Sequence, residues 1–132
     1  MRISSNLVLA VFPSNQIYIW YTLSMSTKDR SIIIQFKERI PARISKQLAR
    51  IIIFGSRANG KVGRYSDLDV AVLLKQKTRQ SEKQLENLAY ALMLEHDFKP
   101  VISLKVFGQK DFERRYKEGF SFYRHVREGI VV

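Results

Sequence analysis

Apolar residues recur at three- and four-residue steps over residues 29–48, which predicts a helix or a pair of helices. The positions that share this spacing are Ile32, Ile33, Phe36, Ile40, Ile44 and Leu48. Pro41 interrupts the segment, and because proline lacks a backbone N–H and clashes with the preceding turn, we expect a break or a kink there. Ser26, Thr27 and Asp29 lie where the cap of such a helix is expected.

Two short apolar strands follow, and a polar loop joins them. Residues 50–54 (RIIIF) have the β-branched composition of a buried strand and are followed by Gly55. The next residues form a glycine-dotted loop that runs through Ser66. Residues 68–74 (LDVAVLL) predict the second strand, and its one acidic residue, Asp69, lies at the end nearest the loop.

Further helices and a third strand are predicted beyond residue 77. Residues 78–96 show the spacing of an amphipathic helix. Its apolar face consists of Leu85, Leu88, Ala89, Leu92 and Met93. Residues 101–107 (VISLKVF) alternate as a strand does. Residues 111–116 and 121–128 predict short helices, ended by Gly129 and a final apolar IVV.

The order of these elements is helix, strand, strand, helix, strand, helix. A chain of 132 residues is long enough for one hydrophobic core and too short for two. We therefore expect one α/β (α+β) domain with a small mixed β-sheet and helices packed on one side of it.

The first 24 residues differ from the rest because Arg2 is their only charged residue. Residues 13–16 (PSNQ) divide their apolar stretch into two pieces, and neither reaches the roughly 20 residues of a membrane-spanning helix. Nor is there a small-residue cleavage site typical of a signal peptide. Since Met25 opens a segment typical of a natural amino terminus, we expect residues 1–24 to be a disordered extension or an upstream start artefact. Residues 25–132 form the expected domain, with no membrane partner.

The charge balance is strongly basic, with 23 Lys and Arg against 12 Asp and Glu and a net charge of +11. Such a surface attracts polyanions, among them nucleic acid, triphosphates and acidic proteins. The absence of cysteine excludes disulfides, thiolate metal sites and a cysteine nucleophile, and agrees with a cytoplasmic location. His96 and His125 are far apart and without cysteine partners, so we expect surface histidines rather than a zinc site.

The loop and the second strand carry the candidate chemistry. Gly55 allows backbone N–H groups to approach an anion, Ser56 adds a hydroxyl donor and Arg57 adds a cation, which predicts a phosphate-binding turn. Asp67 and Asp69 send their carboxylates to the same side of a strand, because side chains alternate along it. Their mutual repulsion is relieved by a hard cation, and Mg²⁺ is the usual one.

The spacing of these features adds to their specificity. Ten residues separate Ser56 from Asp67, enough for the chain to turn back so that both face one cavity. An isolated Asp-x-Asp is more often a solvated turn, and the Gly-Ser element makes that alternative unfavoured. For Arg57 a phosphate contact and a solvated loop remain equally good interpretations. Lys61 and Arg64 fit a solvated loop better than a phosphate contact, and Tyr65 fits packing better than base stacking.

In these residues the chain resembles a known family. Gly-Ser, ten residues and Asp-x-Asp between apolar strands form the signature of nucleotidyltransferases of the DNA polymerase β superfamily. GSRANG followed by SDLDVAVLL is similar to the minimal nucleotidyltransferases in particular, over about residues 28–132 and most strongly over residues 50–74. The resemblance implies that Gly55 and Ser56 bind the triphosphate and that Asp67 and Asp69 hold Mg²⁺. The implied reaction transfers a nucleoside monophosphate, expected to be AMP from ATP, to an acceptor hydroxyl.

The resemblance also implies a partner and exposes a departure. Minimal nucleotidyltransferases occur in toxin-antitoxin pairs, which suggests a tyrosine of a HEPN-type toxin as acceptor and a homo- or hetero-oligomer. The family commonly places a third carboxylate on a later strand, whereas residues 101–107 offer Ser103 and Lys105 but no acid. Glu95 and Asp97 precede that strand. This departure favours an alternative, a binding module that neutralises a partner, or holds nucleotide or RNA, without turnover.

A third interpretation is a basic nucleic-acid-binding domain whose motif is coincidental. It draws on a cluster that mixes cations with aromatic rings, typical of RNA contact and equally of a charged helix face. The cluster comprises Arg114, Arg115, Tyr116, Lys117, Tyr123, Arg124, His125 and Arg127.

Overall fold

The computed structural model describes residues 25–59 and 66–132. The expectations for residues 1–24 lie outside these residues. The helices are α1 (Thr27–Arg39), α2 (Ala42–Ser45), α3 (Arg79–Glu95), α4 (Gln109–Lys117) and α5 (Ser121–Arg127). The strands are β1 (Leu48–Phe54), β2 (Leu68–Leu74), β3 (Ile102–Gly108) and β4 (Ile130–Val131), and a 3₁₀ turn spans Ser56–Asn59. None of the helices in the described residues is long and apolar enough to cross a membrane.

The strands form one mixed sheet in the order β3-β2-β1-β4. β1 pairs antiparallel with β2 and with β4, whereas β2 and β3 are parallel. A parallel pair needs a long crossover connection, and α3 supplies it. The predicted mixed α/β sheet is confirmed. β4 was not predicted, since two paired residues carry no strand periodicity of their own.

One face of the sheet, here called the first face, packs against α1 and α3. Its strand residues alternate along the chain and include Ile51, Ile53, Val70, Val72 and Val106. The helices contribute Ile33, Phe36, Leu85 and Leu92, all at most 2% exposed. This core buries the apolar stripes that the helical spacing predicted.

The opposite face, here called the second face, is covered by α4 and α5. It presents Ile52, Phe54, Ala71 and Leu73, against which Phe112 of α4 and Val126 of α5 are fully buried. Our expectation of helices on one side only is therefore wrong. The physical reason lies in β1 and β2, which are apolar on both faces near the middle of the sheet and need a cover on each.

Local signals explain most of the element boundaries. α1 begins after Ser26, whose hydroxyl accepts from the Asp29 amide at 3.1 Å, and the predicted break comes at Pro41. Leu48, which we assigned to the helical pattern, instead opens β1. Thr78 caps α3 through a reciprocal pair of hydrogen bonds with Ser81.

The second face is less covered where β2 and β3 begin. Ala71 and Leu73 lie fully buried beneath α4 and α5, but Asp69, two residues earlier on the same face, is half-buried. Asp67 and Lys105 are exposed. This end of the sheet therefore presents polar side chains to solvent.

Candidate active site

The two acids begin the central strand β2. Asp69 lies opposite Phe54 of β1 and beside Ser103 of parallel β3. Leu68, between the acids, is fully buried in the core of the first face, so alternation directs Asp69 to the second face. Asp67 is close enough that its charge acts on Asp69. The pair thus stands together at the open end of the second face.

Gly55 lies against the carboxylate of Asp69. Its φ is +79°, a conformation that side chains with a Cβ rarely adopt. A Cβ at this position would also lie 2.3 Å from Oδ2 of Asp69, well inside van der Waals contact. The structure therefore brings the Gly-Ser turn and the acid pair together, at a spacing that only glycine permits.

Ser56 is exposed and opens the 3₁₀ turn that follows Gly55. The turn contains four residues, too few for a helix dipole of useful size, so it offers phosphate no helix-end attraction. The Ser56 hydroxyl and nearby backbone N–H groups remain the donors that this turn offers. Residues 60–65, with Lys61, Arg64 and Tyr65, lie outside the described residues.

Arg57 occupies a position that neither interpretation of the sequence anticipated. It is 9% exposed, and its Nη1 donates to both carboxylate oxygens of Asp29 at 3.0 Å. Its Nε donates to the carbonyl of Ser66 at 2.9 Å. These nitrogens are held inside the protein, so a solvated loop residue is excluded, and the predicted nucleotide contact of Arg57 stays a prediction.

The electrostatics of Asp69 reflect this crowded setting. Partial burial raises the pKa of its carboxyl above the ordinary value, and repulsion from Asp67 raises it further. Lys105, His125 and a hydrogen bond from Ser103 act in the opposite direction and lower the pKa in part. These surroundings disfavour the ionised form of Asp69, and a bound cation would stabilise that form.

Comparison with known proteins decides the family. Residues 31–124 match the family model of the nucleotidyltransferase domain. The chain belongs to this family. A relative from Methanocaldococcus jannaschii, named "Putative protein adenylyltransferase", is 36% identical over 77 residues, which cover 56% of this chain and 78% of the relative. The predicted nucleotidyltransferase family and fold are therefore confirmed.

The sequence did not reveal that His125 lies near Asp69 in this nucleotidyltransferase domain. We expected an isolated surface histidine, and it is exposed, but its ring packs edge-on to Phe54 with centroids 5.7 Å apart. Its charge acts on Asp69, the residue opposite Phe54. Nothing in the local sequence signals this, because the packing of α5 on the second face brings the residues together.

Lys105 and Ser103 share the face of β3 that adjoins Asp69. Alternation along residues 101–107 already placed the two on one side, but their neighbour could not be known without the register between β2 and β3. In the nucleotidyltransferase domain that register sets Ser103 beside Asp69 and Lys105 beside Ala71. A hydroxyl and an ammonium group therefore border the acid pair on this side.

Other candidate acids lie elsewhere. Glu95 ends α3 and accepts from Arg39 at 2.6 and 3.0 Å. Asp97 follows in a left-handed conformation, φ 55°, five residues before the start of β3. Asp111 is exposed on α4 and is paired with Arg114. We find none of them among the groups that act on Asp69.

The basic and aromatic cluster of α4 and α5 is partly occupied by internal contacts. Arg114 pairs with Asp111, and Arg127 donates to Glu113 at 2.9 Å. The guanidinium of Arg127 also lies 4.4 Å from the ring centroid of Tyr116. These contacts favour a helix surface stabilised by its own ion pairs, although its charge still attracts polyanions.

The donor set at the acid pair suits Mg²⁺ with substrate oxygens. Two carboxylates and the Ser103 hydroxyl offer oxygen, which Mg²⁺ prefers, and Mg²⁺ commonly binds through one or two carboxylates plus phosphate and water. Within residues 25–59 and 66–132 no group of three His, Cys, Asp or Glu side chains could hold a metal. The residues therefore fit a metal completed by a triphosphate, and not a cage of protein ligands.

Proposed function

We propose that this nucleotidyltransferase domain transfers a nucleoside monophosphate, AMP from ATP, to an acceptor hydroxyl with Mg²⁺ as cofactor. The observation that carries the proposal is the contact between the Gly55 backbone and Asp69, with Asp67 beside it. Family membership supports the reaction class. The contact supports the assignment of these particular residues.

Each residue has a distinct role in the proposed reaction. Gly55 and Ser56 bind the triphosphate through backbone N–H groups and the serine hydroxyl. Asp67 and Asp69 hold Mg²⁺, which when bound neutralises charge on the phosphates. The acceptor oxygen bonds to the α-phosphorus as the bond to the bridging oxygen breaks, pyrophosphate leaves with that electron pair, and the hydroxyl proton passes to water. The chain's contribution is mainly positioning and charge.

Ser103, Lys105 and His125 complete the proposed site. Ser103 lies beside Asp69 in the register of β2 and β3, where its hydroxyl favours the ionised carboxylate. Lys105 and His125 place positive or ionisable groups beside the acid pair, where they attract the triphosphate. Their role is electrostatic, so each substitution should weaken the reaction less than loss of Asp67 or Asp69.

The acceptor that we propose is a protein hydroxyl. The name of the M. jannaschii relative, a protein adenylyltransferase, supports this class. Its narrower form is a tyrosine of a HEPN-type toxin, bound by this chain in a hetero-oligomer. That form rests on the resemblance to minimal nucleotidyltransferases and is separately testable.

Labelled transfer tests the proposal. The full chain is incubated with ATP labelled at the α-phosphate, Mg²⁺ and the product of the neighbouring gene. We expect labelled protein with the wild type and none with Asp67→Asn or Asp69→Asn. Asp111→Asn, an exposed acid on α4, is the matched control and should transfer at the wild-type rate. Equal transfer by all four proteins would contradict the assignment.

The second function that we propose is binding without turnover. The observation in its support is that no third acid joins Asp67 and Asp69 within the described part of the chain. In this form the domain neutralises its partner, or holds nucleotide or RNA. Tight complex formation with the partner and no label transfer at any Mg²⁺ concentration would favour it over the enzyme.

A further inference from the structure

A buried ion pair joins the first turn of α1 to the loop of the site. Asp29 is fully buried, and Arg57 meets both of its carboxylate oxygens through Nη1 at 3.0 Å. The same guanidinium reaches the Ser66 carbonyl through Nε at 2.9 Å. We call Asp29, Arg57 and Ser66 the buried clamp. Since water screens such a pair weakly, its geometry is tightly held.

The buried clamp includes residues at both ends of one loop. Arg57 directly follows Ser56, and Ser66 directly precedes Asp67. One planar guanidinium, with its donors in a fixed fork, therefore sets the distance between the two ends, and α1 provides the anchor. No other role for Asp29, a buried acid outside the site, follows from the proposed reaction.

We propose that the buried clamp positions the substrate-binding residues. Asp29 holds Arg57, and Arg57 in turn holds Ser56 and Asp67 facing each other, without touching the triphosphate itself. This inference rests on the proposed function, because it takes Ser56 as a triphosphate ligand and Asp67 as a Mg²⁺ ligand. Swinging Arg57 toward phosphate would leave Asp29 as an unpaired charge in the core, which is strongly unfavourable.

Asp29→Asn separates positioning from direct contact, because it keeps Arg57 and removes its buried partner. Positioning predicts that the affinity for Mg-ATP, measured by titration calorimetry, falls about tenfold or more. Direct contact predicts unchanged or tighter binding by the released guanidinium. The double variant Asp29→Asn/Arg57→Gln should bind no more weakly than Asp29→Asn, since the residues act as one unit. Wild-type or tighter binding by folded Asp29→Asn overturns the proposal.

Hydrogen exchange gives a second readout that needs no nucleotide. The Ala58 amide donates to the Gly55 carbonyl at 3.2 Å, and the Leu68 amide donates to the Val101 carbonyl at 2.8 Å. We expect Asp29→Asn to speed exchange at both amides and to leave α3 unchanged. Unchanged exchange at both overturns the clamp. If the wild type itself fails to bind Mg-ATP, the proposed function is refuted while the exchange result still decides the clamp.

Two further variants provide a control and a replacement for Asp29→Asn. Glu95→Gln breaks the exposed pair with Arg39 at the other end of α1, and it should alter neither Mg-ATP affinity nor exchange at the site. Arg57→Lys keeps a cation opposite Asp29 but loses the fork, and it serves if Asp29→Asn does not fold. We expect it to weaken Mg-ATP binding and to speed exchange at Leu68. Wild-type values for both would overturn the proposal.

Discussion

At the scale of single residues, Gly55 is the most constrained position of the site. Gly55→Ala adds a Cβ that would lie 2.3 Å from Oδ2 of Asp69, on a backbone with φ +79°. We expect a stability loss of about 1–2 kcal/mol from the backbone alone. Displacement of Asp69 should lower the rate of nucleotidyl transfer by about 100-fold. Urea unfolding and the transfer assay measure the two effects.

Gly119 offers a matched control for this substitution. Its φ is +89°, and the nearest atom to an added Cβ is Nη2 of Arg124 at 3.9 Å, an ordinary contact. Gly119→Ala should therefore show the backbone effect on stability and keep wild-type transfer. Similar loss of activity in both variants would mean that contact with Asp69 is not the cause.

The charge of Asp69 predicts a conflict between stability and activity. Because burial and Asp67 raise its pKa in the folded protein, folding disfavours the ionised form. That destabilisation is complete above the folded pKa and disappears as pH falls toward the unfolded value. Asp69→Asn should therefore stabilise the metal-free protein at pH 7, by less than about 1 kcal/mol since the side chain is half-exposed, and abolish transfer.

Unfolding at two pH values checks the sign of this effect. The difference in the free energy of unfolding between Asp69→Asn and the wild type should decrease on acidification, because the wild-type carboxyl takes up a proton. Asp111→Asn should instead lower the stability at pH 7, because hydrogen bonding to Arg114 lowers the pKa of Asp111 and its ionised form favours the fold. A stability loss for Asp69→Asn at pH 7 would contradict the prediction.

At the scale of elements, α4 and α5 depend on an aromatic cluster beneath them. The Phe112 ring lies 5.3 Å from both Phe107 and Tyr123, measured between centroids. Phe112→Ala should cost about 3–5 kcal/mol of stability. Because α5 carries His125 to the site, we also expect the His125 imidazole resonance to change in NMR spectra.

Phe98 supplies the matched phenylalanine for comparison. It is 40% exposed and packs edge-on with exposed Tyr90 at 5.8 Å, away from α4 and α5. Phe98→Ala should lower the free energy of unfolding by less than about 1.5 kcal/mol and leave the His125 resonance in place. Equal losses in the two variants would contradict the distinct role given to the aromatic cluster.

Periodicity predicted nearly all of the elements, and it failed where pairing alone defines structure. The helix α3 and the strand β2 were predicted to within a residue, because α3 has a clear apolar repeat and a capping threonine and β2 is an apolar run between polar segments. β4 was missed, since its two residues are a strand only through their pairing with Ile52 and Ile53. The cover on the second face was missed because short helices α4 and α5 show few apolar positions.

The candidate site was likewise predictable only where its residues are close in sequence. Gly55, Ser56, Asp67 and Asp69 could be predicted as site residues because their types and local spacing are visible in the sequence. His125 and Asp29 are far from them in sequence, and they join the site or its support only through tertiary packing. Arg57 shows the limit most clearly, since the sequence fitted a phosphate contact and a solvated loop equally well and did not reveal the bond to buried Asp29.

At the scale of the whole molecule, the net charge of +11 predicts how different ligands respond to salt. Mg-ATP engages one local site and should lose less than about tenfold in affinity between 50 and 200 mM NaCl. Single-stranded RNA, which contacts many cations, should lose about a thousandfold or more for six phosphate contacts. Fluorescence anisotropy measures both.

Asp69→Asn distinguishes the two modes further. It should abolish the Mg-ATP signal and leave RNA binding to the general basic surface intact. If RNA binding instead disappears with Asp69→Asn, the polymer occupies the acid site, and the coincidental-motif interpretation of the charge is excluded.

The cover that α4 and α5 place over the second face also limits how an acceptor can approach. Among the described residues, Asp67 is exposed and Asp69 half-buried at the end of the sheet where β2 begins. Since Asp69 is half-buried, we expect a protruding hydroxyl to reach it more readily than one on a flat protein surface. The natural acceptor should therefore carry its reactive oxygen on a protruding loop or a free chain end, and short peptides of that segment should suffice as substrates.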